Sequence, residues 1–145
     1  DIPAVIVGPV MAKDYHQQLL DTIAEHNLSV TIVPGLPKKE VLQVIRKSWF
    51  TCSLYHTSNL GNVFLEGLTM GKAILAINYN HSLDVIDADA YHGVSDDNVH
   101  EGVLALWEDP ELIKSLEKKA ELFADQTLGS WDTRAEKEIQ LLVAD

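Results

Sequence analysis

The chain alternates short apolar runs with longer amphipathic segments over its first half. The segments 11–28 and 38–49 place apolar side chains at helical spacing, and a short third helix is expected around Glu66. Because strand alternates with helix, the pattern predicts an α/β layered domain with a parallel sheet. The predicted strands are residues 4–8, 29–33, 50–55 and 73–77.

The last third of the chain predicts helices alone. Its three amphipathic segments are residues 97–108, 110–126 and 131–144, and Asp109 before Pro110 is typical of a helix N-cap. Asn27 is expected to end the first helix. The sequence contains no internal repeat, linker or low-complexity segment, so residues 1–145 are interpreted as one domain.

Charge and composition narrow the possible partners. The formal net charge of −11 argues against nucleic acid as the main partner, since neutralising phosphates requires a basic face. No apolar run is long enough for a membrane span or signal peptide, which predicts a cytoplasmic location. The single cysteine, Cys52, lies in an apolar run and is expected to be buried and inert.

The stretch SNLGNVFLEGLTMGKAILAIN, residues 58–78, carries the candidate chemistry. Gly61 and Asn62 open a helix that follows a strand, so its unpaired amides are suited to holding a phosphate. Glu66 lies about one turn further on, where a carboxylate can accept both hydroxyls of a ribose. Two plainer interpretations stay open: Gly61 permits a tight turn, and Glu66 complements the helix dipole.

Together with VTIVPGLPKKEVLQVIRKSWFTCSLY before it, this stretch resembles the donor-binding domain of retaining glycosyltransferases of the GT-B type. The similarity runs from about residue 5 to residue 142, in the order of elements as well as in the short pattern. It implies a Rossmann-like parallel sheet flanked by helices, with a helical C-terminal third. The positions that carry it are Gly35, Gly61, Glu66, GLTMGKA and ILAIN.

The resemblance also implies roles for individual residues in binding a nucleotide sugar. Glu66 would accept the ribose hydroxyls, the amides of Gly61, Asn62 and Val63 would take the diphosphate, and the turn Gly35-Leu36 would pass the base. Ser58 stands where the family often has a first glutamate near the donor sugar. No catalytic residue is assigned, and neither a metal nor a cofactor is expected. His81, His92 and His100 are interpreted as loop or surface residues.

The same resemblance implies that the chain is part of a longer enzyme that transfers a hexosyl group to an acceptor hydroxyl. The family's donor domain begins one strand earlier, and its acceptor-binding domain is missing here. The isolated chain is therefore expected to be inactive. Its partners would be a nucleotide sugar and the missing domain, with a membrane reached only through that missing half or a lipid acceptor.

Two other functions remain as alternatives. One is a non-catalytic α/β module that binds a phosphate or a partner, although AVIVGPV does not end in the acids of a receiver domain. Nor does the loop GPVMAK have the hydroxyl-rich composition of a flavodoxin-like site. The other alternative is half of a sugar-nucleotide epimerase on the same fold.

Overall fold

The structure is a computed structural model and describes residues 2–57, 60–129, 136, 139 and 140. The strands are β1 (Ala4–Val7), β2 (Val30–Val33), β3 (Thr51–Ser53), β4 (Ile74–Ile77) and β5 (His92–Val94). The helices are α1 (Lys13–Glu25), α2 (Lys38–Lys47), α3 (Asn62–Thr69), α4 (Val99–Glu108) and α5 (Pro110–Phe123).

The chain divides into two compact units, Asp1–Val44 and Ile45–Asp145. In the first unit β1 and β2 pair in parallel, with Ala4 opposite Val30 and Val7 opposite Val33. Helix α1 ends at Glu25, and Asn27 terminates it as expected, with a left-handed φ of 48°. The amide of Leu28 donates to the carbonyl of Ile23 at 2.9 Å, which closes the last turn in the manner of a Schellman motif.

The apolar run AVIVGPV is typical of a strand buried on both faces, but strand β1 is largely exposed. Val5 and Ile6 are 55% and 42% exposed. Burial on both faces requires helices packed on both sides of a sheet. Within the first unit the sheet has two strands, and α1 has no buried residue.

The second unit contains a parallel sheet in the order β3-β4-β5. The central strand β4 is buried along its whole length. Its side chains alternate between two apolar clusters: Ile74 and Ala76 pack with Phe64 and Phe123, whereas Leu75 packs with Leu106 and its neighbours. The sheet is therefore covered on both faces at its centre, as parallel sheets usually are.

Two glycines let helices approach this sheet closely. A Cβ added at Gly67 of α3 would lie 3.0 Å from Ile74 Cδ1, and one at Gly102 of α4 would lie 2.9 Å from Leu75 Cδ1. Gly71, which lies between α3 and β4, has a φ of +61°. Its amide donates to the carbonyl of Leu68 at 2.9 Å and ends α3.

The predicted fold class is confirmed: parallel strands are flanked by helices, and the described end of the chain is helical. Asp109 caps α5 as expected, accepting from the amides of Glu111 and Leu112 at 3.0 Å each. Three details differ from the prediction. The strands form two sheets, β3 is shorter than residues 50–55, and β5 was not foreseen. The last predicted helix, 131–144, lies outside the described residues except for positions 136, 139 and 140.

The prediction that Cys52 is buried is wrong, because the residue is exposed. Cys52 pairs in register with Leu75 on the central strand β4, and Leu75 is fully buried. Cys52 is exposed because its own strand, β3, lies at the edge of this three-stranded sheet. The environment is nevertheless desolvating, and partial burial of the thiol raises the pKa of Cys52 to about 11.

Within the described residues, no helix is both long and apolar enough to cross a membrane.

Candidate functional site

The start of α3 presents backbone amides at the carboxyl end of β3. The first hydrogen bond of the helix runs from the amide of Leu65 to the carbonyl of Gly61 at 3.1 Å. The amides of Asn62, Val63 and Phe64 therefore have no partner within the helix. Gly61 is the N-cap and supplies no side chain to cap them. Asn62 and Val63 are exposed, so this helix end is open to an anion.

Glu66 is the fifth residue of α3, beyond the first turn, and α3 has no acidic residue in that turn. The dipole effect falls off within the first turn, which weakens the interpretation of Glu66 as a complement to the dipole. Glu66 follows Asn62 by four residues, so the two share one helix face, and side chains lean toward the N-terminus. Glu66 is half-buried and lies on the helix face that begins at Asn62.

Gly61 is not required by the conformation of the turn. Its φ of −107° and ψ of 173° are extended values that any residue adopts. No described atom would lie within 4 Å of an added Cβ. What the glycine provides is open space beside the helix amides, and glycine is common where a ligand approaches the backbone closely.

The turn Gly35-Leu36 belongs to the first unit and follows β2. A Cβ added at Gly35 would lie 3.7 Å from the backbone nitrogen of Pro9, which follows β1. The turns after the two strands are therefore adjacent, and Leu36 is half-buried there. The structure groups Gly61, Asn62, Val63 and Glu66 on one helix of the second unit, and places Gly35 and Leu36 in the first unit.

Ser58 lies outside the described residues. Among the residues that are described, no group of three or more histidine, cysteine, aspartate or glutamate side chains is arranged to hold a metal ion. The expectation that the reaction needs no metal remains a prediction.

Three further side chains meet at the carboxyl edge of the second sheet, and the sequence did not single them out. His56 follows β3, Tyr79 follows β4 and Asp96 follows β5. His56 Nε2 lies 2.6 Å from Asp96 Oδ1, and the His56 ring stacks on Tyr79 with centroids 5.8 Å apart at 29°. We call His56, Tyr79 and Asp96 the sheet-edge cluster. Its signal in the sequence is that each member comes two or three residues after a strand, but β5 was not recognised.

A groove of about 800 Å³ lies elsewhere on the second unit. It is lined by residues at the end of α3 and by α5, including Lys72, which precedes β4. It therefore lies toward the amino end of that strand, opposite the edge where ligands of parallel sheets bind. Its lining mixes basic and acidic side chains, and Lys72 Nζ is 3.4 Å from Glu117 Oε1. It is not the candidate site.

The fold is similar to that of solved GT-B glycosyltransferases. One is Alr3699/HepE from Anabaena in complex with UDP-glucose, with 16% identity and a TM-score of 0.77 over 95% of this chain and 41% of that chain. Its complex with UDP gives 16% identity, a TM-score of 0.78 and coverages of 96% and 41%. WaaG, a glycosyltransferase involved in lipopolysaccharide biosynthesis, gives 16% identity, a TM-score of 0.71 and coverages of 97% and 38%.

At this identity the likeness shows the fold alone, and the chain spans about two fifths of the length of these proteins. No curated protein matches the sequence. The family model described as "Glycosyl transferases group 1" matches residues 1–123 of the 145 residues. Since that match covers most of the chain, the chain belongs to the glycosyl transferases group 1 family.

Proposed function

We propose that this chain binds the nucleoside diphosphate of a nucleotide-sugar donor, as the donor half of a retaining glycosyltransferase that moves a hexosyl group to an acceptor hydroxyl. The observation that carries the proposal is the start of α3. Three amides without a helix partner and an open glycine stand at the carboxyl end of β3, and Glu66 shares the face of Asn62. Family membership and structural neighbours crystallised with UDP-glucose and UDP support it.

Each part of the ligand is matched to a group of suitable chemistry. The amides at the start of α3 suit the anionic diphosphate, because helix N-termini bind anions without basic side chains. Glu66 suits the ribose, because a carboxylate accepts hydrogen bonds from neighbouring hydroxyls. The backbone of Leu36 would contact the base. Ser58 is proposed to make a hydrogen bond near the sugar.

In such a reaction these groups would act on the leaving group. As the sugar departs, negative charge develops on the nucleoside diphosphate, and fixed dipoles directed at it lower the barrier. The proposed reaction needs neither a metal nor a cofactor, since the helix amides provide this stabilisation. The acceptor hydroxyl would be supplied from a further domain, and a cytoplasmic location is part of the same proposal.

The direct test is a titration of the isotopically labelled chain followed by NMR. UDP, GDP and ADP are added separately up to millimolar concentration, with inorganic phosphate as the control ligand. We expect at least one nucleotide to shift the amide signals of Gly61, Asn62 and Glu66, together with that of Leu36. Inorganic phosphate should shift only Gly61 and Asn62, and more weakly.

Two results would contradict the proposal. If no nucleoside diphosphate moves these signals, the start of α3 is an ordinary helix end. If inorganic phosphate produces the same shifts as the nucleotides, and Glu66 and Leu36 do not respond, the chain is a phosphate-binding module instead.

A further inference from the structure

The sheet-edge cluster is assembled from three separate connections of the second unit. His56, Tyr79 and Asp96 follow β3, β4 and β5 in turn, and parallel strands bring their carboxyl ends to one edge. The same connection from β3 that carries His56 continues to Gly61 at the start of α3. The cluster and the amides of α3 therefore belong to the same edge of one sheet.

The backbone that carries two of these side chains is fixed by local hydrogen bonds. Next to Tyr79, Asn78 Oδ1 accepts from the amide of Leu83 at 2.8 Å, and Asn78 Nδ2 donates to Asp84 Oδ1 at 2.6 Å. Next to Asp96, Asn98 Oδ1 accepts from the amide of Ser95 at 2.6 Å. These bonds hold both turns in place, so the cluster is arranged before any ligand arrives.

The turn after Tyr79 is also conformationally unusual. Asn80 and His81 have φ values of 50° and 59°, in the left-handed region that residues other than glycine seldom occupy. A conformation of this kind costs free energy and persists where the surrounding structure requires it, often at ligand sites.

The chemistry of the cluster differs from that of the helix start. Asp96 carries a negative charge beside the imidazole, and Asp97 follows it, so the cluster does not favour a phosphate. A carboxylate, an imidazole and a phenol together can accept hydrogen bonds from hydroxyls and donate hydrogen bonds to them. Tyr79 is 36% exposed, and the outer side of the stacked His56–Tyr79 pair offers apolar area that suits the C–H face of a sugar ring.

The side chains of the cluster are exposed enough for a ligand to contact them directly. The side chains of His56 and Asp96 are 65% and 60% exposed although they bond to each other. Only Oδ1 of Asp96 faces His56 Nε2, and a carboxylate accepts at both oxygens. Oδ2 is thereby suited to a hydroxyl while His56 keeps the carboxylate oriented.

We infer that the sheet-edge cluster, His56, Tyr79 and Asp96, binds the hydroxyls and ring face of the sugar of the donor. The inference rests on the proposed function and assigns the two halves of the ligand to two groups of residues. The amides of α3 hold the charged diphosphate, and the cluster holds the uncharged sugar. Residues of the cluster should thus distinguish a nucleotide sugar from its nucleoside diphosphate.

The test compares three nucleotide sugars with their nucleotides: UDP-glucose with UDP, GDP-mannose with GDP, and ADP-glucose with ADP. Dissociation constants are measured by NMR titration for the parent chain, His56→Ala and Asp96→Asn. Asp89→Asn is the matched control, because Asp89 is also exposed and ion-paired, 2.9 Å from Lys119 Nζ, but precedes β5 rather than following it.

We expect both cluster variants to weaken binding of at least one nucleotide sugar by about fivefold, as for loss of a partly exposed hydrogen bond. Binding of the matching nucleotide should stay unchanged in both, and Asp89→Asn should leave both ligands unaffected. In the parent chain, the signals of His56, Tyr79 and Asp96 should move with the nucleotide sugar and not with the nucleotide. This last measurement does not depend on the folding of a variant.

The outcomes separate this inference from the proposed function. If nucleotides bind but the cluster signals respond equally to each pair of ligands, the inference is wrong and the proposed function stands. Equal weakening of sugar and nucleotide in the variants also overturns it, because the cluster would then act on the diphosphate or on the fold. If no ligand of any pair binds, the proposed function fails and the inference fails with it.

Discussion

At Glu66 and Gly61, the position of the residue relative to helix α3 helps to distinguish a structural role from a binding role. Glu66 lies beyond the first turn of α3, and Gly61 has an extended conformation with open space around its Cα. Neither residue is therefore explained by the usual roles of such residues at a helix start, dipole complement and turn glycine. Both positions are consistent with a ligand that approaches the helix amides.

Cys52 provides a residue-scale prediction about reactivity. Because burial raises its pKa to about 11, little thiolate is present near neutral pH, and the thiolate is the reactive form. Alkylation by iodoacetamide should be slow at pH 7.5 although the side chain is exposed. The rate should rise about tenfold for each pH unit up to pH 10, whereas an ordinary thiol would level off above pH ~8.5. Rapid alkylation at pH 7.5 would show that the thiol is not desolvated.

At the scale of elements, the sequence predicted the long periodic segments and their ends better than the short strands. Asp109 and Asn27 were identified correctly because capping and left-handed termination depend on local chemistry. Strand β5 was missed because it has three residues, with Gly93 at its centre and no alternation to detect. Because β5 was not recognised, Asp96 could not be placed at the edge of the sheet. Its contact with His56 could not be predicted either, because it depends on how the strands pair in the tertiary structure.

The start of α3 gives a prediction in which stability and binding change in opposite directions. Gly61→Asp should stabilise the helix by about 0.3–0.5 kcal/mol, because aspartate is a better N-cap than glycine. The new carboxylate should also occupy the amides and repel a diphosphate, so nucleotide binding should be lost. Urea denaturation and the NMR titration measure the two effects. A variant that binds nucleotide as well as the parent chain would show that the ligand does not use these amides.

The packing of α4 on the sheet gives a second prediction at this scale. A Cβ at Gly102 would lie 2.9 Å from Leu75 Cδ1, in a region where β4 is completely buried. Overpacking should cost about 1–3 kcal/mol, and the roughly 1 kcal/mol that alanine gains over glycine in a helix offsets part of it. Gly102→Ala should therefore destabilise the chain by up to about 2 kcal/mol in net terms. Urea denaturation checks the sign, and a more stable variant would contradict the close approach of α4.

For the whole molecule, the likeness to GT-B glycosyltransferases was recognisable from the order of elements, and the family match bears it out. Burial was harder to predict. The run AVIVG has the composition of a buried strand, but Val5 and Ile6 are exposed. Composition records the tendency of a segment to be buried, whereas its burial depends on which elements pack around it. The interpretation of residues 1–145 as one domain stays a prediction.

A prediction about activity follows from the length of the chain relative to its structural neighbours. The chain covers about two fifths of those proteins, and the acceptor site is proposed to lie on a further domain. By itself the chain should show no transfer from UDP-glucose, GDP-mannose or ADP-glucose, because positioning of the acceptor supplies much of the rate. Product formation would be followed with radiolabelled sugar. Measurable turnover would mean that this chain contains an acceptor site of its own.

If α3 binds a nucleoside diphosphate through its amides and Glu66, the variant Glu66→Gln should lose most of that binding. Charge-assisted hydrogen bonds contribute about 1.5–3 kcal/mol, so the change should weaken nucleotide binding by about 10- to 150-fold. The control is Glu101→Gln in the first turn of α4, which should leave binding unchanged. Stability should change by about 1 kcal/mol or less in both variants.

The measurement is an NMR titration of the parent chain and the two variants with the nucleotide that binds the parent best. The shifts of Gly61 and Asn62 should persist in Glu101→Gln and should require far more nucleotide in Glu66→Gln. Equal dissociation constants for Glu66→Gln and the parent chain would show that Glu66 has no part in holding the ligand.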